Sequence, residues 1–164
     1  MQSKFQLNEV TGKYEVKTDL TCADILDMAD SIVSKKYKRG TTITCAADSK
    51  TLFISKLRAR EREIFAVLFL DNRHQVIEYS ELFSGTIDAA SVYPREIVKQ
   101  ALLLNSAAII LSHNHPSGVS EPSESDIKVT KRIKAALELV DIRLLDHIIV
   151  GGNETTSLTE KGII

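Results

Sequence analysis

Seven consecutive apolar residues, Ile64–Leu70 (IFAVLFL), constrain this chain more than any other feature. Successive side chains of a strand point to opposite faces, so a strand with no polar alternation has to be covered on both sides. A bare hairpin or a one-sided sheet does not provide that cover. The chain therefore needs at least one apolar layer above this strand and another below it. Asp71–His74 reads as a turn, and the run from about Gln75 to Phe83 reads as the returning strand of a hairpin.

Helices fit the two layers. Residues 46–58 read as a helix with Leu52, Phe53 and Leu57 inward. Pro94 opens a second helix reaching to about Asn105, with Ile97, Val98, Ala101, Leu102 and Leu104 as its apolar positions. Ala107–Leu111 reads as a short buried strand. A further helix is expected from Ser123 to about Val140, striped by Ile127, Ile133, Leu137 and Val140. Leu144–Val150 is the last expected strand, closed by Gly151–Gly152. A hairpin followed by strand–helix–strand predicts an α/β chain with helices packed on a sheet. Upstream, residues 1–20 read as a loose arm or short hairpin. Residues 21–34 read as a helix capped by Thr21 and Asp24, with Ile25, Met28, Ala29 and Ile32 as a stripe. Lys35, Lys36, Lys38, Arg39 and Gly40 suit its C-terminal end. Residues 1–40 are thus expected to form a small helical appendage and residues 41–164 the main domain.

The 164 residues carry a formal net charge of −1, with 43% hydrophobic and 26% charged residues. That balance suits a folded domain and gives no electrostatic case for a protein held on nucleic acid by its field. No apolar run approaches the about 20 residues of a membrane-spanning helix, and no secretory leader is expected. Cys22 and Cys45 form no CxxC pair, which fits free thiols in a cytoplasmic protein.

Residues able to carry chemistry concentrate in Ser112–Asp126. His113 and His115 flank Asn114, and in an extended segment residues i and i+2 project to the same side. One tetrahedral zinc ion can accept two such imidazoles. Pro116 and Gly118 turn the chain, and Asp126 falls in the first turn of the helix that Ser123 begins. A carboxylate there can fold back as third ligand, leaving a position open for water, as catalytic zinc requires. Asp126 can equally serve the helix end, because Ser123 and Asp126 also have capping-box spacing. The tripeptide His113–Asn114–His115 is not the signature of HNH nucleases, whose residues are scattered through a ββα-metal unit.

HNHPSGVSEPSESD resembles the JAMM signature: HxH, ten residues, then Asp, with Ser three before the Asp. The flanks ELFSGTI, SVYPREIVKQAL, AAIILSHNHPSG and DHIIVGG are similar to the RadC branch of these JAB/MPN metalloenzymes, from roughly Gly40 to Ile164. The resemblance implies an MPN-like (cytidine-deaminase-like) α/β/α fold, with helices on both faces of the sheet. It also implies a zinc site of His113, His115, Asp126 and water. It further implies an upstream glutamate as general base, for which Glu63 is the candidate by position and Glu61 the runner-up. Ser123 matches the family serine that assists a developing oxyanion. Asn114 departs from the Ser or Thr usual in deubiquitinating relatives. Residues 1–40 do not match the N-terminal helix-hairpin-helix-type region of full-length members, and the chain resembles the short form found in mobile elements.

The function expected on this basis is zinc-dependent hydrolysis of an amide bond in a peptide or protein. The alternative is a DNA-associated repair or mobile-element factor, either a nuclease or a non-catalytic metal-binding module. That alternative would draw on Lys35, Lys36, Lys38 and Arg39 and on Lys128, Lys131, Arg132 and Lys134. Tyr37 is the one aromatic residue set among these cations, which gives base stacking little support. His74 and His147 stand outside the motif, and His147, leading into an apolar strand, is expected to be a buried hydrogen-bonded residue.

Overall fold

A computed structural model describes residues 4–8, 10–85 and 92–164. Thr86–Ser91, which include parts of two of the quoted flanks, lie outside the described residues. Near the N-terminus, β1 (Phe5–Leu7) and β2 (Tyr14–Val16) pair antiparallel as a short hairpin. Helix α1 (Cys22–Lys36) follows, with the expected capping box between Thr21 and Asp24. None of its residues is buried, and Ile25 and Ile32 of the expected stripe are exposed; Val33 is the α1 side chain that packs against the core.

Five strands make the main sheet: β3 (Ile64–Leu70), β4 (Val76–Ser84), β5 (Ala108–Asn114), β6 (Arg143–Gly151) and β7 (Glu154–Ser157). Their order is β4-β3-β5-β6-β7. Among the described residues only the β5–β6 pair is parallel, as a strand–helix–strand crossover requires. The remaining helices are α2 (Ala46–Leu57), α3 (Pro94–Leu103) and α4 (Glu124–Glu138).

The apolar run in β3 is resolved by alternation. Ala66, Leu68 and Leu70 face one core, shared with Leu52, Phe53 and Leu57 of α2 and with Tyr37. Phe65, Val67 and Phe69 face the other, shared with Ile97 and Ala101 of α3 and Ile133 and Leu137 of α4. The sheet thus lies between helices on both faces, the α/β/α arrangement expected from the sequence. Among the described residues no helix is long and apolar enough to cross a membrane. Cys22 and Cys45 are free and exposed.

Two sequence expectations need correction. The strand expected to stop at Leu111 continues to Asn114, because His113 pairs with Phe65 on one side and Ile149 on the other. Polar side chains masked a ladder that the backbone completes. Strand β7 was not expected at all. Its four residues, ETTS, carry no apolar alternation, and it forms because β6 turns back on itself after Gly152.

Candidate metal centre

Alternation along β5 decides where the motif points. Ile109 and Leu111 join the core under α3 and α4, so His113 faces α4 as well. Its ring is 1% exposed and stacks on Phe65, with centroids 6.0 Å and planes 6° apart. His115 lies just past the strand, its backbone N–H donating to Val150 O at 2.9 Å. The two rings meet edge to face, with Nε2 atoms 3.0 Å apart.

Asp126 reaches this pair from the first turn of α4. Its Oδ1 is 3.3 Å from His113 Nε2 and its Oδ2 3.5 Å from His115 Nε2. The two readings of Asp126 hold together. Ser123 Oγ accepts from Asp126 N–H at 3.2 Å, while Asp126 Oδ2 accepts from the Ser123 N–H at 2.8 Å and hydroxyl at 2.6 Å. The capping box therefore aims the carboxylate at the histidines. Ligand-type atoms of His113, His115 and Asp126 all lie within 4.8 Å of one another.

His115 Nδ1 lies 2.7 Å from Val119 O. A carbonyl only accepts, so Nδ1 carries the proton and Nε2 presents its lone pair to the cluster. Two ring nitrogens 3.0 Å apart need a positive centre between them, either a proton or a metal ion. The set of two imidazole nitrogens and a carboxylate oxygen is the donor set of a three-ligand zinc site with an open position, so the residues fit such an ion. The Asp126 hydrogen bond raises the pKa of His115 against the opposing effect of burial. Burial alone would raise the Asp126 pKa. The facing His113 and His115 rings outweigh it and hold the carboxyl far below the usual carboxylate range.

The loop between His115 and α4 is pressed onto the end of β6. A Cβ at Gly151 would stand 2.4 Å from Ser120 N, 2.6 Å from Val119 C and 2.7 Å from Gly118 O. Only glycine admits so close a backbone, and the carbonyl that fixes His115 sits in that contact.

Glu63 is half-buried at the entry to β3, and its charge is among those that raise the His115 pKa, whereas Glu61 is exposed. Asn114 holds that entry segment. Its Oδ1 accepts from Ile64 N–H at 2.8 Å, and its Nδ2 donates to Arg62 O at 3.0 Å and Arg60 O at 3.3 Å. The sequence marked Asn114 as a departure from relatives, and its spacing from residues 60–64 gave no sign of this clamp. His147, expected to be buried and hydrogen-bonded, is 0% exposed between His113 and Thr130. Burial, and then the neighbouring His113, hold its pKa well below the ordinary histidine value. Thr130 was missed, since one threonine on a helix carries no signal until β6 is docked against it.

A family model described as the RadC-like JAB domain matches residues 43–163. A UPF0758 protein of Marinomonas sp. (strain MWYL1) is 53% identical over 140 residues, covering 85% of this chain and 62% of that protein. A UPF0758 protein of Vibrio parahaemolyticus is 52% identical over 140 residues, with the same two coverages. A shorter UPF0758 protein of Vibrio cholerae is 52% identical over 138 residues, covering 84% of this chain and 87% of that protein. The chain thus spans 62% of the length of the longer relatives it matches.

Proposed function

Because the chain belongs to the RadC family and carries its JAB-type domain, we propose that His113, His115 and Asp126 hold one zinc ion and that the domain hydrolyses an amide bond in a peptide or protein. The observation that carries this reading is the convergence of two imidazole nitrogens and a carboxylate on one point, with His115's proton already given to a carbonyl. Zinc in a three-ligand setting supplies Lewis acidity and brings the pKa of a water down to about 7.

The chain's own groups divide the remaining work. The Asn114 clamp holds the strand entry that carries Glu63, whose carboxylate would take the proton of an attacking water and return it to the leaving amine. Ser123 donates its hydroxyl proton to Asp126 in the resting arrangement. Turned toward the scissile carbonyl, the same hydroxyl meets negative charge as it develops on oxygen. Phe65 walls the buried side of His113 and excludes water there.

The test pairs metal content with hydrolysis of a broad peptide library. Wild type should hold about one zinc per chain, and His113→Ala and Asp126→Ala should lose it. Glu63→Gln should keep the zinc and lose roughly 10²–10⁴-fold in hydrolysis. A wild type that stays zinc-free after reconstitution would sink the reading, as would unchanged turnover in Glu63→Gln. Cleavage of phosphodiesters with intact peptides, together with salt-dependent DNA binding, would favour the DNA-associated alternative.

A further inference from the structure

A line of hydrogen bonds runs from the backbone of one candidate ligand to the ring of another. Thr130 Oγ1 donates to the Asp126 carbonyl, four residues back on α4. A hydroxyl has one proton, and here the carbonyl takes it. Toward His147 Nδ1, 2.6 Å away, Thr130 can therefore only accept, so Nδ1 of His147 bears the hydrogen. A neutral imidazole has one N–H, which leaves His147 Nε2 as a bare acceptor. That atom lies 2.8 Å from His113 Nδ1 and accepts its proton. His113 is left with a lone pair on Nε2, the atom facing His115 and Asp126.

We propose that Thr130 and His147 are positioning residues that set the tautomer of His113, holding its Nε2 free of hydrogen and open to a metal ion. The proposal rests on the metal-site reading and extends it to residues outside the motif. Three features support it. His147 and Thr130 are both 0% exposed, so water does not compete for these bonds. His147 sits on β6, opposite Leu111 of β5 and on the face that carries α4, so strand register places its ring between helix and ligand. The line also starts at the Asp126 carbonyl and ends at the cluster its carboxylate enters, tying helix, strand and ligands into one ring. His115 obtains the same tautomer more simply, from the Val119 carbonyl. Ligand histidines generally need such a partner on the far nitrogen, and its loss commonly costs 10–100-fold in metal affinity.

The test reads the tautomer and the metal separately. In metal-free protein, long-range nitrogen–proton NMR should show His113 bearing its hydrogen on Nδ1 and none on Nε2. Thr130→Val removes the acceptor and keeps the side-chain shape. It should turn His113 into a mixture of tautomers and weaken zinc binding, by chelator competition, about 10–100-fold. Thr130→Ser should restore both. His147→Leu should repeat the Thr130→Val result, with metal-free thermal unfolding recorded to separate folding from affinity. A wild-type His113 protonated on Nε2 overturns the proposal, as does a Thr130→Val protein with unchanged tautomer and affinity. An Nδ1-protonated His113 in a protein that binds no zinc upholds the tautomer assignment and removes the metal reading instead.

Discussion

His113 and His115 were legible as a pair from their alternation in an extended segment, and Asp126 joined them through the helix start that follows and the resemblance to the JAMM signature. The residues that fix them were not, since Asn114 acts on a segment 50 residues upstream and Thr130 meets a ring 17 residues downstream. Burial of His147 has a measurable cost. Its pKa is lowered from 6.5 in the folded chain, so the unfolded chain takes up a proton below that pH while the folded one does not. Stability from this residue is present above pH 6.5 and is lost as pH falls below it, by at most about 1.4 kcal/mol per pH unit. Asp126 adds loss in the same direction below its ordinary value of 3.8. His115, with a raised pKa, works oppositely: its contribution is complete below 6.5 and fades as pH rises through the folded value. In chelator-treated protein, urea midpoints should therefore fall as pH drops below about 6.5, and His147→Gln should flatten that limb. Equal slopes in the two proteins would show that the buried ring does not titrate with unfolding.

At the scale of elements, β3, α2 and α4 could be read from their apolar patterns, while β7 and the last residues of β5 could not, because backbone pairing rather than side-chain alternation creates them. The contact of the His115 loop with β6 is equally silent in sequence beyond the bare presence of Gly151. Gly151→Ala should push the Gly118–Ser120 backbone off β6 and loosen the Val119–His115 bond. We expect a stability loss of about 1–3 kcal/mol and a clear drop in zinc affinity. Wild-type affinity in that variant would mean that the loop relocates without disturbing His115. A domain boundary at Gly40 remains a proposal, and Tyr37 tests it: this residue belongs to the core beneath α2, 5% exposed, with its hydroxyl 3.2 Å from Asp48. Deleting residues 1–18, which include the β1–β2 hairpin, should leave the melting temperature nearly unchanged. Deleting residues 1–40 also removes Tyr37 and should cost about 3 kcal/mol or more. Equal melting temperatures for the two truncations would place the boundary at Gly40 after all.

Across the whole molecule, the candidate ligands divide between regions of very different permanence. His113 lies on β5, the middle strand of five, with two strands on either side and helices over both faces. Asp126 lies in the first turn of a helix whose N-terminal residues, Ser123 and Glu124, are exposed. Native proteins open from helix ends long before they open from central strands. An ion held between the two would escape when the first turn of α4 frays, leaving the sheet closed beneath it. The lifetime of the loaded state would then be governed by one helical cap, and Ser123 would serve as its latch.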